Sequence, residues 1–228
     1  MNSLYMISFI IGTILVYQGM SLLYKRFHSP LLVPIATTTF ILIMFLLLFS
    51  IPYDTYMIGG RWIDELLGPA VVALAYPLYQ NRKALKKYFT PIFVGVISGT
   101  TTGILTGIYM AKLFSIDLKT MLSLTTKSVT SPVAIDIAEM IGGIPTLAVV
   151  YVMVAGISGA MFGPIFLKMA KINHYIGVGL GFGTASHGIG TAKALEIGKS
   201  EGAISSVSMI ISAIYAAIIC PIIIRFFI

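Results

Sequence analysis

Eight apolar runs, each about long enough to cross a bilayer, fill nearly the whole chain and leave only short polar connections between them. They cover roughly residues 4–24, 30–51, 61–80, 91–113, 120–142, 145–168, 174–198 and 203–227. At about 20 apolar residues per crossing, a chain of 228 residues holds few crossings beyond these and no sizeable soluble domain. Composition agrees: 57% of the residues are hydrophobic and 10% are charged, where a soluble domain carries about 25% charge. Fifteen Lys and Arg with eight Asp and Glu cannot make a polar skin. Disorder, a coiled coil and a water-soluble enzyme are excluded. A barrel needs strands of about 10 strictly alternating residues, and none occurs. The expectation is an all-α integral membrane protein of about seven to eight crossings, not an enzyme, read as one membrane domain over 1–228.

The net charge of +7 fits cytoplasmic loops facing anionic lipid. No basic run is interleaved with aromatics, so nucleic acid is not an expected partner. Cys220 is the single cysteine and reads as a small hydrophobe. Lys25 and Arg26 follow the first run instead of preceding it, which marks a retained span, not a cleaved signal. The basic clusters Lys25-Arg26 and Arg82, Lys83, Lys86, Lys87 place their loops in the cytoplasm and the N-terminus outside. Eight simple crossings would then leave Lys168 and Lys171 outside. A re-entrant fifth segment would bring them inside, so the charges favour seven crossings with one re-entrant segment.

Segments 1, 2, 4, 6 and 8 read as plain packing or lipid-facing helices. Gly95, Gly99, Gly103 and Gly107 share one helix face in segment 4, a packing stripe, and Gly156, Gly159 and Gly163 repeat it more loosely in segment 6. Segments 3, 5 and 7 mix breakers with hydroxylated residues: Gly68-Pro69, Thr125 through Pro132, and Ser186-His187-Gly188-Ile189-Gly190-Thr191. Gly68, Pro69, Pro132, Gly188 and Gly190 are the expected helix breaks. Unwound backbone at membrane depth is tolerated only where protein buries it or it lines a wet cavity.

No metal-ligand spacing, Walker sequence or nucleophile elbow is present, and no metal or cofactor is expected. Buried ionisable residues carry more information, since an unpaired charge at mid-bilayer costs at least about 2.5–3.5 kcal/mol. A broken helix offers backbone N–H groups at the start of its second half, a seat for a carboxylate. Lys127, Ser128, Thr130, Ser131, Ser186, His187 and Thr191 are therefore the candidate binding residues for a small organic anion. Asp136 and Glu139, three apart on one face, are the candidates for ion coupling if a cation binds instead.

At these residues the chain resembles the LrgB/CidB family, closer to CidB-type members. The resemblance rests on Ile58-Gly59-Gly60, Gly68-Pro69-Ala70 with Ala75-Tyr76-Pro77-Leu78-Tyr79, Lys127-Ser128-Val129-Thr130-Ser131-Pro132-Val133-Ala134, Gly142-Gly143, and Ser186-His187-Gly188-Ile189-Gly190-Thr191-Ala192-Lys193-Ala194. It runs through nearly the whole chain in order; the family's Ser-His-Ala is Ser186-His187-Gly188 here. The resemblance implies a multi-pass protein of the bacterial cytoplasmic membrane, working beside an LrgA/CidA-type membrane partner or as a homo-oligomer. It further implies carriage of a small monocarboxylate such as pyruvate or glycolate. The alternative it implies is an antiholin-like regulator of murein hydrolase activity and cell lysis, with the glycine faces of segments 4 and 6 as its working surface. Inverted repeats are implied too, as in cation/proton-antiporter and bile-acid-transporter folds, with candidate halves at about 1–113 and 120–228 and breaks in segments 3 and 7 as the related pair.

Overall fold

The computed structural model describes residues 2–27, 29, 32–73, 75–80 and 82–227, all of whose regular structure is helical. His28 and Asn81, in the polar connections, and Pro30, at the start of the second run, lie outside the described residues. The chain divides into two compact units, Met1–Ala75 and Tyr76–Ile228.

In the first unit α1 (Asn2–Phe27) packs against α2 (Pro34–Leu48) and α3 (Tyr53–Asp64), followed by α4 (Leu67–Ala73). Gly59 lets α3 close on α1: a Cβ there would stand 2.6 Å from the Met6 carbonyl oxygen. Thr13 and Tyr56 share a hydrogen bond of 3.2 Å across the same contact. Gly68 and Pro69 lie inside α4, and the chain turns just before them, at Glu65 and Leu66. Proline is harmless in a first turn, where the N–H it lacks has no partner anyway.

The second unit begins with two short helices, α5 (Ala75–Gln80) and α6 (Arg82–Lys87), and then α7 (Phe89–Leu113). Next come α8 (Leu118–Thr125), α9 (Ser131–Ile141), α10 (Pro145–Met169), α11 (Tyr175–Ile197) and α12 (Lys199–Phe227). Among the described residues, four helices are long and apolar enough to cross a membrane: Tyr5–Phe27, Phe89–Leu113, Pro145–Met169 and Lys199–Phe227. At 1.5 Å per residue, α2, α8 and α9 fall short of the roughly 30 Å hydrocarbon core. The other expected runs are thus assembled from shorter pieces.

Segment 5 is two helices, not one. Asp117 caps α8 by accepting the Thr120 N–H at 3.0 Å. The helix then tightens as the N–H groups of Thr126, Lys127 and Val129 reach back only three residues. Hydroxyls of Ser123, Thr125 and Thr126 donate to carbonyls within the same stretch, a local bonding that competes with helix continuation. Thr130 stands at the N-cap position of α9 without a side-chain capping bond, and the first turn holds Pro132. Gly142, at φ +82, ends α9 in the left-handed conformation that glycine adopts without penalty. Just beyond, the Ile144 N–H donates to Ser123 Oγ at 2.7 Å, so the end of α9 has come back beside the middle of α8.

Segment 7 also doubles back. Its helix breaks at His187 (φ 42, ψ −129), not at Gly188 or Gly190. The 175–186 arm lays Gly179 against Glu201 and Ile204 of α12, whereas in the 188–197 arm Leu195 has returned to Gly202. Gly190 is needed for that close return: a Cβ there would stand 2.6 Å from the Phe182 carbonyl oxygen.

The two hairpins open at opposite ends of this unit. α8 follows the last turn of α7, while α11 starts where α7 starts, with the Tyr88 and Tyr175 rings 6.4 Å apart. Between them α12 runs alongside α7, joined by hydrogen bonds from Thr100 to Ser212 (2.8 Å) and Thr101 to Tyr215 (2.9 Å).

Candidate functional site

Glycines on α7 form a floor on which both hairpins rest. A Cβ at Gly95 would meet Leu180 and one at Gly99 would meet Thr184, both from the 175–186 arm. One at Gly103 would meet Ser128 and one at Gly107 would meet Lys127, both from the α8–α9 tip. Four residues advance a helix by about 6 Å, so the two tips take successive turns of one glycine face. The looser stripe on α10 serves the other side of the same arm: His187 and Ile189 lie over Gly156, Ser186 over Gly159 and Phe182 over Gly163. Segments 4 and 6, read from sequence as plain packing helices, therefore supply the walls of the site. Each of these glycines has a side chain from one of the hairpins beside it, and Gly99 remains exposed.

A cavity of about 600 Å³ lies between these elements. Lys127, Ser128 and Ser186 line it, and so do Thr106, Ser158 and Thr184. Lys127 is the only charged residue in that lining. Its ammonium donates to the Gly103 carbonyl oxygen at 2.7 Å, which leaves two of its three N–H donors available. Thr184 is 6% exposed and its Oγ1 has no hydrogen-bond partner, an uncommon condition for a buried hydroxyl. No carboxylate lines the cavity, so the site presents one positive charge and a set of hydroxyls to whatever enters.

The remaining expected residues lie elsewhere. His187 is buried at 3% exposure, and its ring Nε2 shares a 3.0 Å hydrogen bond with the Val152 carbonyl. It therefore fastens the α11 break to α10 and does not line the cavity. Thr191 hydrogen-bonds to the His187 carbonyl and to Ser205, both at 2.8 Å, and braces the break from behind. Thr130 and Ser131 form the start of α9 outside the lining. Asp136 and Glu139 are exposed on α9, away from the cavity. Lys193 and Glu196 form an ion pair at 2.7 Å. Among the described residues no group of three or more His, Cys, Asp or Glu is placed to hold a metal.

Thr106, Ser158 and Thr184 were not among the expected binding residues, and neither were the apolar liners Phe162, Phe166, Leu167, Leu180 and Phe182. A faint signal existed for Thr184, one helical turn before His187 in the glycine-rich arm. The α10 residues have no sequence signal, because their role comes from the packing of the 175–186 arm against Gly159 and Gly163.

A model of the LrgB-like family matches residues 13–226 of this chain. An uncharacterized protein of Bacillus subtilis, YxaC, is 46% identical over 96% of this chain and 95% of its own length. Holin-like protein CidB of Staphylococcus epidermidis is 36% identical, and the protein of that name in Staphylococcus aureus is 34% identical, both over the same shares of the two chains. No solved structure matches.

Proposed function

We propose that this chain, which belongs to the LrgB-like family, is a secondary transporter, or the transport subunit of a two-protein carrier, for small monocarboxylates such as pyruvate or glycolate. The observation that carries the reading is the cavity between two oppositely opening hairpins, with Lys127 as its sole charge. In an apolar surrounding, a charge-assisted hydrogen bond from an ammonium to a carboxylate is roughly twice as strong as a neutral one. Ser128 and Ser186, which also line the cavity, suit a neighbouring oxo or hydroxy group.

The same geometry suggests how access alternates. Ser128 and Lys127 of the α8–α9 tip rest on Gly103 and Gly107, and Leu180 and Thr184 of the 175–186 arm rest on Gly95 and Gly99. A hairpin can slide or tilt on such a face at little steric cost, opening the cavity first toward one end of the unit and then toward the other. The α8–α9 and α11 hairpins are then an inverted pair within this unit. The end carrying Arg82, Lys83, Lys86, Lys87, Lys168, Lys171 and Lys199 faces the cytoplasm, because the other end has only Lys112, Lys119 and Arg225. With segment 5 folded back on itself, Lys168 and Lys171 join the cytoplasmic cluster.

The printed names of the CidB relatives favour a second reading, a holin-like or antiholin-like role with an LrgA/CidA-type membrane partner. Uptake of labelled pyruvate and glycolate into proteoliposomes separates the two. The carrier reading expects saturable uptake by the purified chain, alone or with the partner, whose half-saturating concentration rises in Lys127→Met. Absence of uptake in both preparations, with the protein correctly inserted, refutes it and leaves the regulatory role.

A further inference from the structure

We infer, resting on the carrier reading above, that Thr106 makes the site choose among small monocarboxylates, favouring 2-hydroxy acids over 2-oxo acids of the same length. One backbone oxygen ties Thr106 to the carboxylate seat. The Gly103 carbonyl accepts from Lys127 Nζ at 2.7 Å and from Thr106 Oγ1 at 3.1 Å. Hydrogen-bonded to a common atom at those lengths, the ammonium and the hydroxyl stand no more than about 6 Å apart. Both residues line the same cavity. A 2-hydroxy acid carries its hydroxyl on the carbon beside the carboxylate. Seated on Lys127 through hydrogen bonds of about 2.8 Å, such a molecule brings that hydroxyl within reach of Thr106.

The direction of the Thr106 proton decides what it recognises. Thr106 Oγ1 also bonds the Thr102 carbonyl, at 2.7 Å. Both partners are carbonyls, which only accept, so the single hydroxyl proton is committed to the helix backbone and only lone pairs are left for a ligand. Ser158, on α10, is in the same state: it donates to the Val154 and Ala155 carbonyls at 2.7 and 3.1 Å. The donors that the lining offers are the two remaining N–H groups of Lys127 and the hydroxyls of Ser128 and Ser186. One carboxylate, with roughly four lone-pair positions, can use all of them. A keto oxygen only accepts, so it competes with the carboxylate for those donors. A hydroxyl brings its own proton and gives it to Thr106. For Thr106 to serve a keto oxygen instead, its proton has to leave the Thr102 and Gly103 carbonyls, which forfeits the bond that is gained.

The test uses the full chain in proteoliposomes, with labelled glycolate as the transported probe and unlabelled lactate, in each enantiomer, and pyruvate as competitors. The two competitors share carbon count and charge and differ only at the second carbon. The better lactate enantiomer is expected to inhibit at a concentration about fivefold lower than pyruvate, the worth of one net hydrogen bond. Thr106→Val, which keeps the shape and removes the acceptor, is expected to bring that ratio to about one, whereas Thr106→Ser is expected to retain it. Equal inhibition by lactate and pyruvate in the unmodified chain, or stronger inhibition by pyruvate, overturns the inference and leaves the carrier reading standing. A lactate preference that persists in Thr106→Val also overturns it, and so does one lost equally in the Val and Ser variants, since shape and not the hydroxyl then decides. Absence of uptake for glycolate and for labelled pyruvate alike refutes the carrier reading itself.

Discussion

Alanine placed at two glycines of the same sequence type should change stability in opposite directions. In a helix interior, Ala is favoured over Gly by about 0.8–1.0 kcal/mol, because it loses less backbone entropy. At Gly103 the new Cβ would find only Ser128 Oγ, at 3.5 Å, an ordinary contact. Gly103→Ala is therefore expected to stabilise by nearly the full amount, about 0.8 kcal/mol. At Gly159 the new Cβ would fall on the Ser186 side chain. Overpacking of this kind costs about 1–3 kcal/mol, and Ser186 has little room, because it is 3% exposed and next to the His187 break. Subtracting the helix gain gives a net destabilisation of up to about 2 kcal/mol for Gly159→Ala. Reversible unfolding in mixed micelles with a denaturing detergent, followed by helical circular dichroism, reads both values. Equal stabilisation by the two variants would refute the placement of the 175–186 arm against α10, and with it the cavity.

Lys127→Met should weaken pyruvate binding about 10- to 150-fold, the worth of a hydrogen bond to a charged group of roughly 1.5–3 kcal/mol, as measured by concentration dependence of uptake. Thr184→Val should leave the empty protein as stable or slightly more stable, because it removes a buried hydroxyl with no partner; unfolding midpoints check this. His187→Gly should be more stable than His187→Ala by about 1 kcal/mol: both lose the bond to Val152, and only glycine adopts φ 42, ψ −129 without strain. The same unfolding assay applies. The Asp117 carboxyl is held below its ordinary value of 3.8 by the bond from Thr120. Its contribution to stability is therefore complete above that pH and fades as pH falls below it. Asp117→Ala should erase that acid-side dependence in an unfolding titration.

Helical class and membrane setting were legible from the sequence, because they rest on local quantities. A chain with 10% charged residues and eight apolar runs has no other way to satisfy its backbone in lipid. Pro132 and Gly142 announced the start and end of α9 for the same local reason, fixed φ in one case and freedom to adopt positive φ in the other. Ser128, Lys127 and Ser186 could be suspected because each sits beside a break in an apolar run, where a polar group needs a reason to be. Other features needed the folded chain. His187, not the neighbouring glycines, takes the break, because its ring is held by a carbonyl 35 residues earlier. Thr184, Phe162 and Phe182 entered the site because two hairpins from opposite ends settled on two glycine faces. Glycine spacing marks where a backbone can approach closely, but which segment arrives there is decided by contacts between residues dozens of positions apart, and no local pattern records them.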